Sequence, residues 1–144
     1  MSRLARFPDW QSRLSSYVLE NARRPFKYGE LDCGLFVAGA ISAMTGVDVA
    51  RELRGYSDRR QALARIRSLC GRPTVEAAAE HLAGVFGLAE ISPLMARRGD
   101  PVQLGQGRSS KLGIVAMHGF EVLIPYRDGL LRVPRSLALR AWRV

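Results

Sequence analysis

The sequence has 144 residues, of which 47% are hydrophobic, so it is long enough for one domain with a hydrophobic core and short for two. It contains no run of about eighteen apolar residues, which argues against a transmembrane helix, and the segment 1–14 lacks the apolar core of a signal peptide. Two cysteines are too few for a disulfide scaffold, and no Cys/His spacing indicates zinc, so we expect no metal and no cofactor. We therefore expect a single domain (1–144) that is made in the cytoplasm.

The formal net charge is +9 and comes almost entirely from arginine: Lys27 and Lys111 are the only lysines, so 20 of the 22 basic residues are arginine. Arginine suits bidentate pairing with carboxylates and buried interfaces. The arginines are spread along the chain without a block of like charges or an aromatic-basic motif, which argues against nucleic-acid binding. Three adjacent arginine pairs are expected either to be solvated or to dock an acidic partner: residues 23–24, 59–60 and 97–98.

Four helices are predicted in the first two thirds of the chain, because apolar residues recur there at helical spacing between capping and stop residues. The predicted N-cap residues are, in chain order, Asp9, Asp32, Asp58 (together with Ser57) and Thr74. A glycine follows the last three of these helices and provides the stop signal. The predicted limits are 9–22, 32–46, 57–71 and 74–87.

After Pro93, short apolar runs separated by Gly, Asp and Pro turns predict antiparallel strands at 99–105, 111–119, 120–125 and 129–134. The loop 105–110 is expected to be flexible. The apolar C-terminal segment 139–144 must pack either on its own sheet or on a neighbouring molecule. Helices (about 9–87) followed by strands (99–144) indicate an α+β domain, in which the helices pack on a small antiparallel sheet or half-barrel.

Cys33 lies in the first turn of the second predicted helix. A thiol there meets the positive end of the helix dipole and unpaired backbone N–H groups, which favours the thiolate and offers an oxyanion site. The alternative is that Cys33 is a small buried hydrophobic residue, as free cysteine usually is. Cys70, in the last turn of the third helix, faces the negative end of the dipole, which raises its pKa, and is expected to be a packing residue.

Four segments, in chain order, resemble motifs of the NlpC-type cell-wall cysteine peptidases, which belong to the papain-like superfamily: FKYG (26–29), DCGLF (32–36), GDPV (99–102) and KLGIV (111–115). The first two resemble the nucleophile segment, the third a Gly-Asp turn, and the fourth the histidine strand. Asp100, in the third, is expected to bond the backbone of its own turn. The resemblance covers about 26–46 and 98–125, and the helices between them are similar to an insertion in phage-encoded relatives.

The resemblance implies that Cys33 occupies the nucleophile position and that Tyr28 matches the family's aromatic residue near it. Lys111 occupies the position of the family's catalytic histidine. A lysine of pKa about 10 stays charged, so it can stabilise a thiolate but cannot act as the acid–base shuttle. His118 is a weak alternative base, because seven further residues of straight strand place it about 23 Å away and on the opposite face. The matching stretch offers Glu121 as third member of a triad.

The resemblance is to the small phage and prophage branch of this superfamily, whose members are encoded among tail-assembly genes. The first hypothesis is therefore a structural component of the tail tip or baseplate that lacks the catalytic histidine, binds other tail proteins through its arginine-rich surface, and resides in the virion tail. The second is an active cysteine hydrolase that cuts the peptide stems of peptidoglycan as the phage genome enters the cell. A nucleic-acid-binding module rests on the charge alone.

Overall fold

The computed structural model describes residues 4–144; residues 1–3, where the segment tested for a signal peptide begins, lie outside the described part. Within it, the chain has an α+β structure of four helices and a six-stranded antiparallel sheet, with helices first and most strands after them, as predicted. None of the described helices has the length and apolar character needed to cross a membrane. The helices are α1 Trp10–Asn21, α2 Cys33–Thr45, α3 Arg59–Cys70 and α4 Val75–Phe86. The strands are β1 Glu90–Ile91, β2 Pro101–Leu104, β3 Lys111–Val115, β4 Glu121–Tyr126, β5 Gly129–Pro134 and β6 Arg140–Trp142.

The helix ends confirm the predicted capping residues, with one exception. Asp32, Asp58 and Thr74 each accept a hydrogen bond from the backbone N–H three residues further on. Asp9 precedes α1 but has a ψ of 27° rather than an extended backbone, and its carboxylate accepts a hydrogen bond from Arg13 instead of from a backbone N–H. Left-handed glycines end the other three helices, as predicted: Gly46, Gly71 and Gly87.

Helix α2 is the centre of the core because it is apolar on nearly all sides. Phe36 and Met44 are fully buried, and the helix packs against α1 on one side and against β3 and β4 on the other. The contact with α1 is close because Gly39 has no side chain: a Cβ there would lie 2.2 Å from the hydroxyl oxygen of Tyr17. That hydroxyl donates a hydrogen bond to the carbonyl of Phe36 over 2.8 Å. These contacts fix the helix that carries Cys33 at its first position.

The six strands form one sheet in the order β1-β6-β2-β3-β4-β5. The strand predicted at 111–119 is shorter than expected: β3 ends at Val115, and residues 117–120 turn the chain into β4. Gly119 adopts a φ of 86° in this turn, and its N–H donates a hydrogen bond to the carbonyl of Ala116. The strands β1 and β6 were not predicted, because two or three residues are too few to show an alternating pattern.

The C-terminal segment packs on its own sheet, which is one of the two predicted alternatives. Strand β6 lies between β1 and β2, and Ala141 and Trp142 are buried. The helices cover one face of the sheet. On the other face, the fully buried Val102, Val115 and Val122 belong to a cluster whose members all come from strands and turns. This second face of the sheet therefore buries an apolar cluster of its own.

Asp100, immediately before β2, is fully buried and joins three parts of the chain. Its Oδ1 accepts hydrogen bonds from the Arg6 guanidinium (2.9 Å) and from the backbone N–H of Val144 (3.1 Å), while Oδ2 accepts one from the backbone N–H of Arg97 (3.0 Å). Arg143 lies 3.3 Å from Oδ2. Burial lowers the pKa of Arg6 to about 10, although the charge of Asp100 raises it, so Arg6 remains a cation at neutral pH. The sequence predicted only the bond within the turn.

Replacing Asp100 by asparagine is expected to lower the free energy of unfolding by about 3–5 kcal/mol, because the Arg6 side chain, only 7% exposed, would stay buried without its counter-charge. Urea denaturation measures this loss. Asp9→Asn is the matched control: it removes an exposed ion pair with Arg13 and should leave the unfolding curve almost unchanged. Similar small effects of both substitutions would contradict the prediction.

Candidate functional site

A cavity of about 660 Å³ opens beside the N-terminus of α2. Its walls come from α2, the α3–α4 pair, the start of β3 and the segment 124–127. Cys33, Tyr28 and Lys111 line it, and His118 does not. The structure thus brings together three of the side chains singled out from the sequence: Tyr28 from the glycine turn, Cys33 from α2 and Lys111 from the start of β3.

Asp32 fixes the backbone around Cys33. Its buried carboxylate accepts hydrogen bonds from the backbone N–H groups of Leu35 (2.9 Å) and Gly29 (3.1 Å) and from the hydroxyl of Tyr56. Gly29 has a φ of 84°, and a Cβ there would lie 2.0 Å from the carbonyl oxygen of Tyr56, so only glycine fits this turn. Asp32 therefore caps α2, as predicted, and also ties the helix to the turn before it and the loop after it.

The Cys33 thiol is protonated at neutral pH. Burial is the largest influence and raises its pKa to about 11. Hydrogen bonds from the backbone N–H groups of Leu112 and Gly34 and the charge of Lys111 lower this pKa, whereas the charge of Asp32 raises it. The groups expected to favour the thiolate thus act in the predicted direction, but burial outweighs them.

Lys111 begins β3, opposite Leu104 of β2, with an exposed side chain at the mouth of the cavity. An ammonium group donates hydrogen bonds but has no lone pair with which to accept the thiol proton of Cys33. Lys111 can therefore attract an anion electrostatically, but it cannot act as a general base.

Neither of the two histidines lines the cavity. His118 lies in the turn between β3 and β4, where Nδ1 accepts a hydrogen bond from the backbone N–H of Phe120 and Nε2 lies 3.1 Å from the carboxylate of Glu121. It lines a separate, smaller cavity beside α1. Because β3 ends early, His118 and Glu121 pair with each other in this turn and not with Cys33. His81, on α4, is also outside the cavity.

Three arginines at the cavity were missed as site residues. Arg59, Arg108 and Arg127 are exposed and line it together with Lys111. Arg59 was recognised only as part of a surface pair. The other two come from the loop 105–110 and from the β4–β5 turn, and only the fold brings them to this place. The loop, expected to be flexible, contains a 3₁₀ turn.

Cys70 lies in the last turn of α3 and packs, as predicted, against the apolar cluster of Leu53, Ile66 and Ala78. Burial raises the pKa of the Cys70 thiol, which is the predicted direction. Within residues 4–144, no three His, Cys, Asp or Glu side chains are grouped so that they could hold a metal ion.

A family model described as "Domain of unknown function (DUF6950)" matches residues 5–144, which is nearly the whole chain. No curated protein and no solved structure matches this chain.

Replacing Tyr56 by phenylalanine is expected to lower the free energy of unfolding by about 1.5–3 kcal/mol, because the buried carboxylate of Asp32 loses a hydrogen-bond donor. Chemical denaturation measures the change. Tyr126→Phe is the control, since Tyr126 also lines the cavity but is 44% exposed. Equal stabilities of the two variants would contradict the role given to Asp32.

The pH dependence of Cys33 alkylation, measured in a Cys70→Ser variant, is expected to have its midpoint near pH 11. Between about pH 8.5 and pH 11, the Cys33 thiol keeps its proton in the folded state, whereas an unfolded thiol, of pKa about 8.5, has lost it. The stability from this proton is thus complete below about pH 8.5 and is lost as the pH rises towards 11. Cys33→Ala should remove this part of the pH dependence of unfolding. An alkylation midpoint at or below about pH 8.5 would contradict it.

Proposed function

This chain belongs to the DUF6950 domain family, and we propose that it is a papain-like domain of the NlpC type, without peptidase activity, that serves as a structural component of a phage or prophage tail. In this proposal the protein is made in the host cytoplasm and becomes part of the tail tip or baseplate. The observation that carries the proposal is that Cys33 and Lys111 line one cavity that neither of the two histidines reaches.

The order of the elements supports a papain-like fold of the NlpC type. Helix α2 carries Cys33 in its first turn and packs against β3 and β4, and the turn at Gly99 and Asp100 leads into β2, which pairs with β3. The resemblance implies the same order of nucleophile helix, Gly-Asp turn and strand. Helices α3 and α4 lie between these segments in the chain, which agrees with an insertion.

The side chains around Cys33 support the absence of catalysis. A cysteine peptidase needs a base that accepts the thiol proton near neutral pH. Lys111 is a cation, and His118 is held in another turn. Burial raises the pKa of Tyr28 and of Tyr56, so neither provides a phenolate at neutral pH.

An apolar patch at the far end of the sheet supports a role in assembly. The Arg135 guanidinium donates hydrogen bonds to the carbonyls of Gly119 (3.0 Å), Pro93 (3.1 Å) and Ala96, and so ties three turns together. Large apolar patches on a surface mark interaction sites, and exposed arginines can pair with acidic residues of a partner. The three turns, which we call the Arg135 patch, expose four large side chains: Leu94, Met95, Phe120 and Leu137.

Particles that carry Cys33→Ala are expected to assemble and infect as the native ones do, because the proposed role involves no thiol chemistry. Infectious titre and incorporation of the protein into purified particles measure this. Phe120→Ser, which changes an exposed side chain of the Arg135 patch, is expected to reduce incorporation, and Cys70→Ala is the matched cysteine control. Loss of infectivity in Cys33→Ala particles that assemble normally would overturn the proposal.

An active hydrolase acting on the peptide stems of peptidoglycan is the second candidate, favoured by two backbone N–H groups that bond the Cys33 sulfur, one from Gly34 in the first turn of α2 and one from Leu112 in β3. In that case a thiol probe at pH 7 should label Cys33 much faster than Cys70, and the native protein should cleave stem peptides. Slow, equal labelling without cleavage would refute it. Cleavage gained only in Lys111→His would indicate a lost activity and support the first candidate.

A further inference from the structure

The cavity beside Cys33 lies between two separate apolar clusters. One contains α2 and its neighbours in the sheet, and contributes Leu35 and Ile41 to the wall. The other joins α3 to α4 and contributes Leu53, Ile66 and Ala78. The volume of about 660 Å³ is within the range of roughly 300–1,000 Å³ that is usual for small-molecule pockets. The walls therefore enclose an apolar space of the size of a small ligand.

We call the exposed part of the lining the mouth of this cavity, and its charged side chains are cationic. Arg59, Arg108, Lys111 and Arg127 all line it, and all four are exposed, whereas most of the apolar lining is buried. Within residues 4–144, none of these four side chains forms an ion pair with a carboxylate. Among the described residues that line the cavity, the acidic one is Asp32. It is buried and already accepts three hydrogen bonds. The charge at the mouth is thus available to an external anion.

We propose that the cavity binds a fatty-acid anion without covalent chemistry, with the alkyl chain between the two apolar clusters and the carboxylate at the cationic mouth. A single apolar chain with one anionic end matches both the walls and the mouth. This binding goes beyond the structural role proposed above and does not depend on it.

The hydrogen bonds of the lining favour an alkyl chain over a peptide. The Tyr56 hydroxyl is bonded to Asp32, Thr74 accepts from the backbone of α4, and Ser110 is bonded on both sides to backbone groups. The helical walls satisfy their own backbone groups. A peptide would bring N–H and C=O groups that the apolar part of these walls does not pair, which is costly, whereas an alkyl chain brings none.

The protonated thiol of Cys33 also fits this occupant. A neutral thiol behaves as a small hydrophobic group, so it extends the apolar wall. A thiolate would compete with the ligand for the charge of Lys111 and would repel a carboxylate at the mouth. The neutral form leaves the cation free for the ligand.

Trp142 provides the first test because it lines the cavity, while Trp10, the other tryptophan, does not. In a Trp10→Phe variant, titration with octanoate, decanoate and laurate below their micelle concentrations is expected to change the emission of Trp142. The dissociation constant should fall about fourfold for each added CH₂ group that the cavity buries. Isothermal titration calorimetry on the native chain provides an independent value.

The exposed cations provide the second test. Arg59→Gln and Lys111→Gln are each expected to weaken laurate binding about two- to fivefold and to leave the binding of dodecanol unchanged. Arg60→Gln is the matched control, because Arg60 follows Arg59 on α3 but does not line the cavity, and it should affect neither ligand. All three positions are exposed, so the variants are expected to fold as the native chain does.

The absence of binding for all three acids in both assays would overturn the proposal. Equal affinity for laurate and dodecanol in the native chain would overturn it too, because the cations would then play no part. Tighter binding of an apolar peptide than of laurate would overturn it in favour of a peptide partner. Each of these results leaves the tail-assembly proposal standing, since the infectivity of Cys33→Ala particles involves no fatty acid.

Discussion

The buried carboxylate of Asp100 is the constraint on which the closure of the sheet depends. A charge without access to water is stable only where donors and counter-charges surround it, and here both ends of the described chain supply them. Arg6 comes from the segment before α1, and Val144 and Arg143 follow β6. Since Val144 is bonded there, β6 is held between β1 and β2, and Trp142 becomes part of the cavity wall. The same ion cluster therefore shapes both the sheet and the cavity.

The helices could be predicted because their signals are local: a capping side chain such as Asp32 or Thr74 acts within one turn, and a left-handed glycine ends the helix where it stands. The strands could be predicted only in part. The apolar run that begins at Lys111 continues beyond Val115, and what ends β3 is the turn at Gly119, which the pairing with β4 requires. The short strands β1 and β6 exist through their partners in the sheet, which local sequence does not encode.

The residues near Cys33 could be predicted from the sequence, but the direction in which the pKa of its thiol shifts could not. The resemblance placed Tyr28 and Lys111 near the thiol, and the structure gathers them at one cavity. The direction of the dipole can be inferred from the position of Cys33 in the helix, whereas its burial depends on how residues distant in the chain pack around it. Arg108 and Arg127 were missed for the same reason: they reach the mouth from two turns that only the folded chain brings together.

The hydrogen bonds of Arg135 hold the turns of the Arg135 patch in place before any docking of the kind that the tail-assembly proposal requires. Docking normally costs free energy because loops and side chains lose conformational freedom at the interface. In the Arg135 patch, one guanidinium already restrains the backbone that carries Leu94 and Phe120, so this ordering has taken place during folding. A larger share of the free energy gained by burying apolar area in a contact then contributes to affinity. In the tail-assembly proposal, a surface of this kind would act as a rigid template on which each subunit is added in a single orientation.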